Sequence, residues 1–117
     1  MDKFKPRGRP EAKVQKSIIE YLRNKEWLVM ATHGNQYQHG FPDLFCTHTK
    51  YGPRWVEVKL PGMKGSKYTA AQLEYFPKLC ANGSGVWVMT APTVAQYTML
   101  VTEPPNWWQY LSTARKV

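Results

Sequence analysis

Gly40-Phe41-Pro42-Asp43-Leu44 and, further on, Trp55-Val56-Glu57-Val58-Lys59 are the stretches that decide how this 117-residue chain folds. The first leads into a β-strand that starts at Asp43, the second reads as the next strand, and Tyr51-Gly52-Pro53 reads as the turn between them. Strand side chains point to alternate faces. In the strand Trp55 to Leu60, the residues Val56, Val58 and Leu60 therefore form a buried face, and Trp55, Glu57 and Lys59 form the other. If this strand pairs with Asp43 to Thr47, Asp43 lies beside Glu57 and two carboxylates and an ammonium converge.

Upstream, Pro10 opens a helix that runs to about Asn24-Lys25, with Val14, Ile18, Tyr21 and Leu22 as its buried stripe. Trp27 to Ala31 is a first strand, and His33 to Gly40 is a turn-rich loop. After the two central strands, Pro61 to Lys67 is a flexible basic loop. Thr69 caps a second helix that reaches about Ala81, with Leu73, Phe76 and Leu79 inward; Pro77 inside it should kink it or end it early. Asn82-Gly83-Ser84-Gly85 stops that helix, Val86 to Met89 is a fourth strand, and Thr93 to Leu100 is a third helix. Pro104-Pro105 breaks the chain before Trp107-Trp108. Helix, three strands, helix, strand, helix is an α/β sandwich around a small mixed sheet.

The length suits one domain spanning residues 1–117, with a basic arm over 1–9 and a C-terminal extension over 91–117. Sixteen Lys plus Arg against eight Asp plus Glu give +8, which favours a polyanionic partner, nucleic acid first; the plainer reading is that the charge aids solubility. No apolar run approaches the ~20 residues of a bilayer span, so no membrane partner is expected. The first residues lack the apolar centre of a signal peptide, and two cysteines, Cys46 and Cys80, do not make a disulfide scaffold. The expected location is the reducing cytoplasm. No spacing of His33, His39, His48 and Cys46 supports a zinc site.

The converging charges have a chemistry. Hydrolysis of a phosphodiester with a divalent metal needs hard oxygen ligands, a positioned water and cationic help for the developing charge. Asp43 and Glu57 supply oxygens for Mg²⁺ or Mn²⁺, the backbone carbonyl of Val58 can add another, and Lys59 can orient the water. The bland alternative is a solvated strand face, against which Trp55 on the same side argues. Glu11 shares the inward face of the first helix: it is either a further ligand, direct or through water, or an acid favoured by the helix dipole. Gln15, one turn on, can hold a water or a phosphate, whereas Glu20 lies on the opposite side. Thr69-Ala70-Ala71-Gln72 is a capping box, and that structural role competes with Gln72 pointing into a site, because one side chain cannot readily do both. Arg7, Arg9, Lys13, Lys16, Lys64 and Lys67 suit phosphate contact. His33, Asn35 and His39 can rim the site or serve the loop. Tyr37, Tyr68, Trp107 and Trp108 can stack on bases or pack on a partner chain, and Trp87 belongs to the core.

Glu11-x-x-Val14-Gln15, Gly40-x-Pro42-Asp43-Leu44, Val56-Glu57-Val58-Lys59 and Thr69-x-x-Gln72, in that order, resemble a VRR-NUC domain, a branch of the PD-(D/E)xK nuclease superfamily. The resemblance runs from about residue 11 to residue 90. It implies a restriction-endonuclease-like αβββαβ core and divalent-metal-dependent cleavage of DNA. It carries metal binding onto Glu11, Asp43 and Glu57, catalysis onto Lys59, and a site role onto Gln72. Short stand-alone relatives resemble phage or bacterial proteins and are expected to dimerise and to cut branched DNA such as four-way junctions. Pro77 and the tail beyond residue 90 depart from the family pattern. The rival readings are a non-catalytic nucleic-acid-binding module, a restriction-type or flap nuclease, and an RNA nuclease.

Overall fold

The computed structural model describes residues 9–32, 40–63 and 67–111. The elements are α1 (Arg9–Asn24), β1 (Leu28–Ala31), β2 (Leu44–His48), β3 (Gly52–Val58), a 3-10 turn (Pro61–Met63), α2 (Ala70–Ala81), β4 (Val86–Met89), α3 (Val94–Thr102) and a C-terminal 3-10 turn (Trp107–Tyr110). The expected α/β order is present. One four-stranded mixed sheet runs β1-β2-β3-β4, the first two pairings antiparallel and the β3–β4 pairing parallel. A parallel neighbour needs a crossover, which α2 provides.

Each face of the sheet carries its own apolar cluster. On one, Ile18 and Leu22 of α1 and Leu100 of α3 pack with Val29, Leu44, Cys46, Val56, Val58, Trp87 and Met89. On the other, Phe76 of α2 packs with Tyr68, Val86, Val88 and Trp107, joined by the partly buried Trp55, Leu73 and Leu79. The side of β3 that carries Glu57 and Lys59 is thus roofed rather than solvated. Covering both faces explains why β4 is buried at every residue instead of alternating.

Several local expectations shift. The turn between β2 and β3 is Thr49–Tyr51; Gly52, at φ 79°, already pairs with His48 and Pro53 with Thr47. Proline is tolerated there because β4 does not join β3 until Trp55 meets Val86, so Pro53 sits where β3 is still an edge. At its other end β3 stops at Val58, with one more bond from the Lys59 N–H to the Met89 carbonyl, and Leu60 lies beyond it, partly buried. Pro77 does not end α2, which continues to Ala81 with Pro77 on its exposed side. The Asn82-Gly83 stop holds: Asn82 and Gly83 N–H groups return to the last carbonyls of α2, and Gly83 takes φ 91°.

The tryptophan pair divides. Trp107 is 7% exposed and meets Phe76 and Tyr68 edge-on, at ring separations of 5.5 and 6.0 Å, whereas Trp108 is 57% exposed. Tyr68, read as a stacking candidate, is instead a core residue whose hydroxyl donates to the Trp107 carbonyl at 2.7 Å. Trp107→Ala should therefore cost about 3–5 kcal/mol, and Trp108→Ala should stay within about 0.5 kcal/mol. Urea unfolding midpoints of the two variants beside wild type check this.

Candidate active site

Asp43 directly precedes β2, and the pairing of Leu44 with Val56 sets it opposite Glu57. Thr32 holds the backbone here by hydrogen bonds. The Thr32 N–H, just past β1, donates to the Asp43 carbonyl at 2.8 Å, and the Thr32 hydroxyl donates to the Pro42 carbonyl. Upstream, Gly40 has φ 88° and passes so close to α2 that a Cβ there would lie 2.7 Å from the Ala71 carbonyl oxygen and 2.6 Å from the Tyr75 ring. Only glycine allows both that backbone angle and that approach.

Glu57 is fully buried, in the middle of the sheet face beneath α2. A carboxylate in such a place needs donors. The Asp43 N–H donates to its Oε1 at 3.2 Å, and the Gln72 side-chain amide donates to its Oε2 at 2.8 Å. The Lys59 ammonium lies 3.2 Å from the same Oε2. The bond is reciprocated between strands: the Val58 N–H donates to Asp43 Oδ2 at 2.8 Å.

Lys59 is itself only 4% exposed. Besides Glu57, its Nζ donates to the Lys67 carbonyl at 2.9 Å and to Gln72 Oε1 at 3.5 Å, and it lies over the Tyr68 ring at 5.1 Å from the centroid. The Lys67 side chain is exposed, so this residue offers its backbone inward and its charge outward. Burial, with the negative charge of Glu57 second and Tyr110 third, pushes the Tyr68 phenol well above its ordinary range. It therefore stays protonated and remains a donor to Trp107.

Gln72 does what a single side chain was not expected to do. Its carbonyl oxygen accepts from the Thr69 N–H at 3.0 Å, and the Thr69 hydroxyl accepts from the Gln72 N–H at 3.1 Å, which completes the capping box. Its NH₂ end is left over and reaches Glu57. An amide has a donor end and an acceptor end, so cap and site use different atoms.

Asp43, Glu57, Lys59 and Gln72 are thus gathered. Glu11 lies partly buried in the first turn of α1, and Gln15 is buried one turn on. Among the described residues no three acidic, His or Cys side chains gather as a metal cage, and Asp43 and Glu57 stand as a neighbouring pair. Lys13 and Lys16 are exposed on α1. Arg7, Lys64 and the side chain of Arg9 lie outside the described residues, as do His33, Asn35, Tyr37 and His39. Cys46 is no part of the site: it belongs to the opposite sheet face, and burial pushes its thiol up to about 12, which removes it as a thiolate nucleophile. Among the described residues no helix is long and apolar enough to cross a membrane.

Sequence reasoning missed three contributors, namely Thr32, the Lys67 carbonyl and Tyr68. Backbone acceptors and a threonine at a strand end carry no sequence signal. Tyr68 carried one, since a large apolar residue just before an N-cap is commonly packed back against its helix.

The donor set suits a hard divalent cation. Two adjacent carboxylates, not a closed cage of four soft ligands, match Mg²⁺, which keeps several waters and shares its remaining positions with substrate phosphates. Lys59 and Gln72 hold Glu57 on its Oε2 side, which fixes the carboxylate plane.

No family model matches the chain, and no curated protein matches it. A solved structure described as a VRR_NUC domain is similar in shape: it is 22% identical, covers 82% of this chain and 99% of its own, and superposes with a TM-score of 0.60. At that identity the likeness shows the fold, and the fold is that of a VRR_NUC domain.

Gln72→Leu keeps the backbone bond to the Thr69 hydroxyl but removes the return half of the capping box and the donor to Glu57, and should cost about 2–3 kcal/mol. Thr69→Ala loses only the hydroxyl half of the capping box, about 1 kcal/mol. Equal urea midpoints for the two variants would show that the Glu57 contact adds nothing.

Proposed function

We propose that the chain is a VRR-NUC-type nuclease, a metal-dependent endonuclease acting on DNA, with branched DNA such as a four-way junction as substrate. The observation that supports this most is the burial of Asp43, Glu57, Lys59 and Gln72 in one mutually bonded group. Ionic groups are costly to bury and are retained where chemistry needs them. The fold shared with a VRR_NUC domain adds support.

In this reading Asp43 and Glu57 would hold Mg²⁺ or Mn²⁺, with the Val58 carbonyl and Glu11, direct or through water, as the further oxygens. The bound ion would supply Lewis-acid stabilisation of the phosphorane charge and lower the pKa of water. The chain's own part is positioning. Gln72 fixes the plane of the Glu57 carboxylate, and Asp43 is fixed by the Val58 N–H. Lys59 exchanges its longest contact, Gln72 Oε1, for the attacking water or a phosphate oxygen. Lys13, Lys16 and Lys67, with Arg7, Arg9 and Lys64, grip backbone phosphates, and Gln15 holds a water or a phosphate.

Lys59→Ala should lower metal-dependent cleavage of a labelled four-way junction by about 10²–10⁴-fold, while binding measured with EDTA present persists. Each phosphate-gripping cation replaced by alanine should reduce the slope of log affinity against log salt by about 0.9. A readout separate from activity tests the ion: Mg²⁺ should raise the unfolding temperature of wild type and leave that of Asp43→Asn unmoved. Wild type that binds junction, flap and duplex without cutting any of them under Mg²⁺ or Mn²⁺ would leave a binding module.

A homodimer completes the proposal, because paired sites suit paired nicks in a junction. The support is β1, an edge strand of the sheet on which Leu28 and Met30 are 62% and 57% exposed, with no charged residue from Leu28 to Ala31. Copies carrying +8 each repel, so an uncharged edge is where they can meet. Met30→Lys should then shift the light-scattering mass from two chains to one; a monomer mass for wild type across a wide concentration range would sink the dimer.

A further inference from the structure

Lys59 does not rest on polar partners alone. Its ammonium has three N–H donors, and three oxygens lie around it, at 2.9 Å (Lys67 carbonyl), 3.2 Å (Glu57 Oε2) and 3.5 Å (Gln72 Oε1). A lysine so engaged must give up an acceptor to contact a water or a phosphate. It must also stay in place while it does so, on a side chain with four flexible carbons. What lies on its remaining side is the face of Tyr68, 5.1 Å from Nζ to ring centroid. An aromatic face attracts an ammonium without a fixed direction and without taking one of its donors. It can therefore hold the charge while individual hydrogen bonds exchange.

Tyr68 is in turn immobilised from the C-terminal side. Its hydroxyl donates to the Trp107 carbonyl at 2.7 Å, and its ring meets Phe76 and Trp107 edge-on at 77° and 81°. Trp107 is anchored by its indole N–H on Cys80 Sγ of α2 at 3.2 Å. The neighbouring Asn106 is buried and accepts from the Val88 N–H at 2.7 Å, which ties the same segment to β4.

We propose that Tyr68 is the positioning residue of Lys59, and that the segment Asn106–Tyr110 is built into the candidate active site as the support that aims the Tyr68 ring. The inference rests on the nuclease reading, and it gives a task in the reaction to a C-terminal segment that the family resemblance left unassigned. Tyr68 touches neither substrate nor metal in this scheme and acts only through Lys59.

The test keeps shape constant and varies the ring's electrostatics. Position 68 is made Phe, then mono-, di- and trifluorophenylalanine, in the full chain. With Mg²⁺ and a labelled four-way junction, Tyr68→Phe should stay within about threefold of wild type in kcat, and kcat should fall stepwise with fluorination to about tenfold lower, with KM unchanged. A residue that merely fills the core would show no such gradient. In parallel, the side-chain methylenes of Lys59, assigned by comparison with Lys59→Ala in a ¹³C-lysine-labelled sample, should carry a ring-current shift that Tyr68→Phe keeps and Tyr68→Leu abolishes. Wild type that cuts while kcat is flat across the fluorinated series overturns the positioning role, as does a Lys59 resonance without a ring-current shift. Wild type that cuts nothing overturns both readings, and a ring-current shift intact in that case locates the failure in the nuclease reading rather than in the contact.

Discussion

Burying the carboxylate of Glu57 is the constraint around which this half of the molecule is arranged. A fully buried anion is tolerable only where donors reach it from fixed positions. Here they come from three places: the Asp43 N–H beside β2, Lys59 just past the end of β3, and Gln72 in the first turn of α2. Supplying all three at once sets the β2–β3 register, the end of β3 and the start of α2 together. A slip of one residue in that register would turn Glu57 toward the apolar cluster of α1 and α3 and away from these three donors.

α2 is placed by the same group. Its capping box would form on any helix with Thr69 and Gln72 at those positions, but the unused end of the Gln72 amide adds a tertiary bond to a local one. Nucleating the helix and orienting the carboxylate become one event. Gly40 makes the arrangement possible from the other side. Its missing side chain lets the strand that delivers Asp43 pass against the Ala71 carbonyl.

The cations divide by burial. Lys13, Lys16 and Lys67 keep their side chains in solvent, where a point charge can meet a phosphate and release counterions. Lys59 is withdrawn among acceptors and an aromatic ring, where hydration is replaced by fixed partners. In the proposed nuclease, exposed charge would serve affinity and steering, and the buried, held charge would serve the reacting group. The same division separates the tryptophans of the tail: Trp107 is committed to the wall behind Tyr68, and Trp108 is left at the surface.

The order of elements, the caps at Thr69 and Asn82-Gly83, and the shared face of Glu57 and Lys59 were legible in the sequence, because each depends on residues close along the chain. Periodicity, capping chemistry and strand alternation are local physics. So was the pairing of Asp43 with Glu57, once the two strands were taken as neighbours. The dual use of Gln72 was not legible, since it requires knowing that Glu57 lies within reach of the amide end that the cap leaves over. The reach of α2 to Ala81 was legible in its pattern; Pro77, which propensity opposes, does not end it early, because the packing of Phe76, one residue earlier, offsets the cost. Tyr68, Thr32, the Lys67 carbonyl and Trp107 entered the site only through tertiary contacts, between residues 8 to 39 positions apart at Lys59–Lys67 and Tyr68–Trp107. Sequence alone thus determined which charged groups face the same way. The tertiary structure decided which of them are buried together and what holds them, because desolvation and donor placement depend on the elements that close over them.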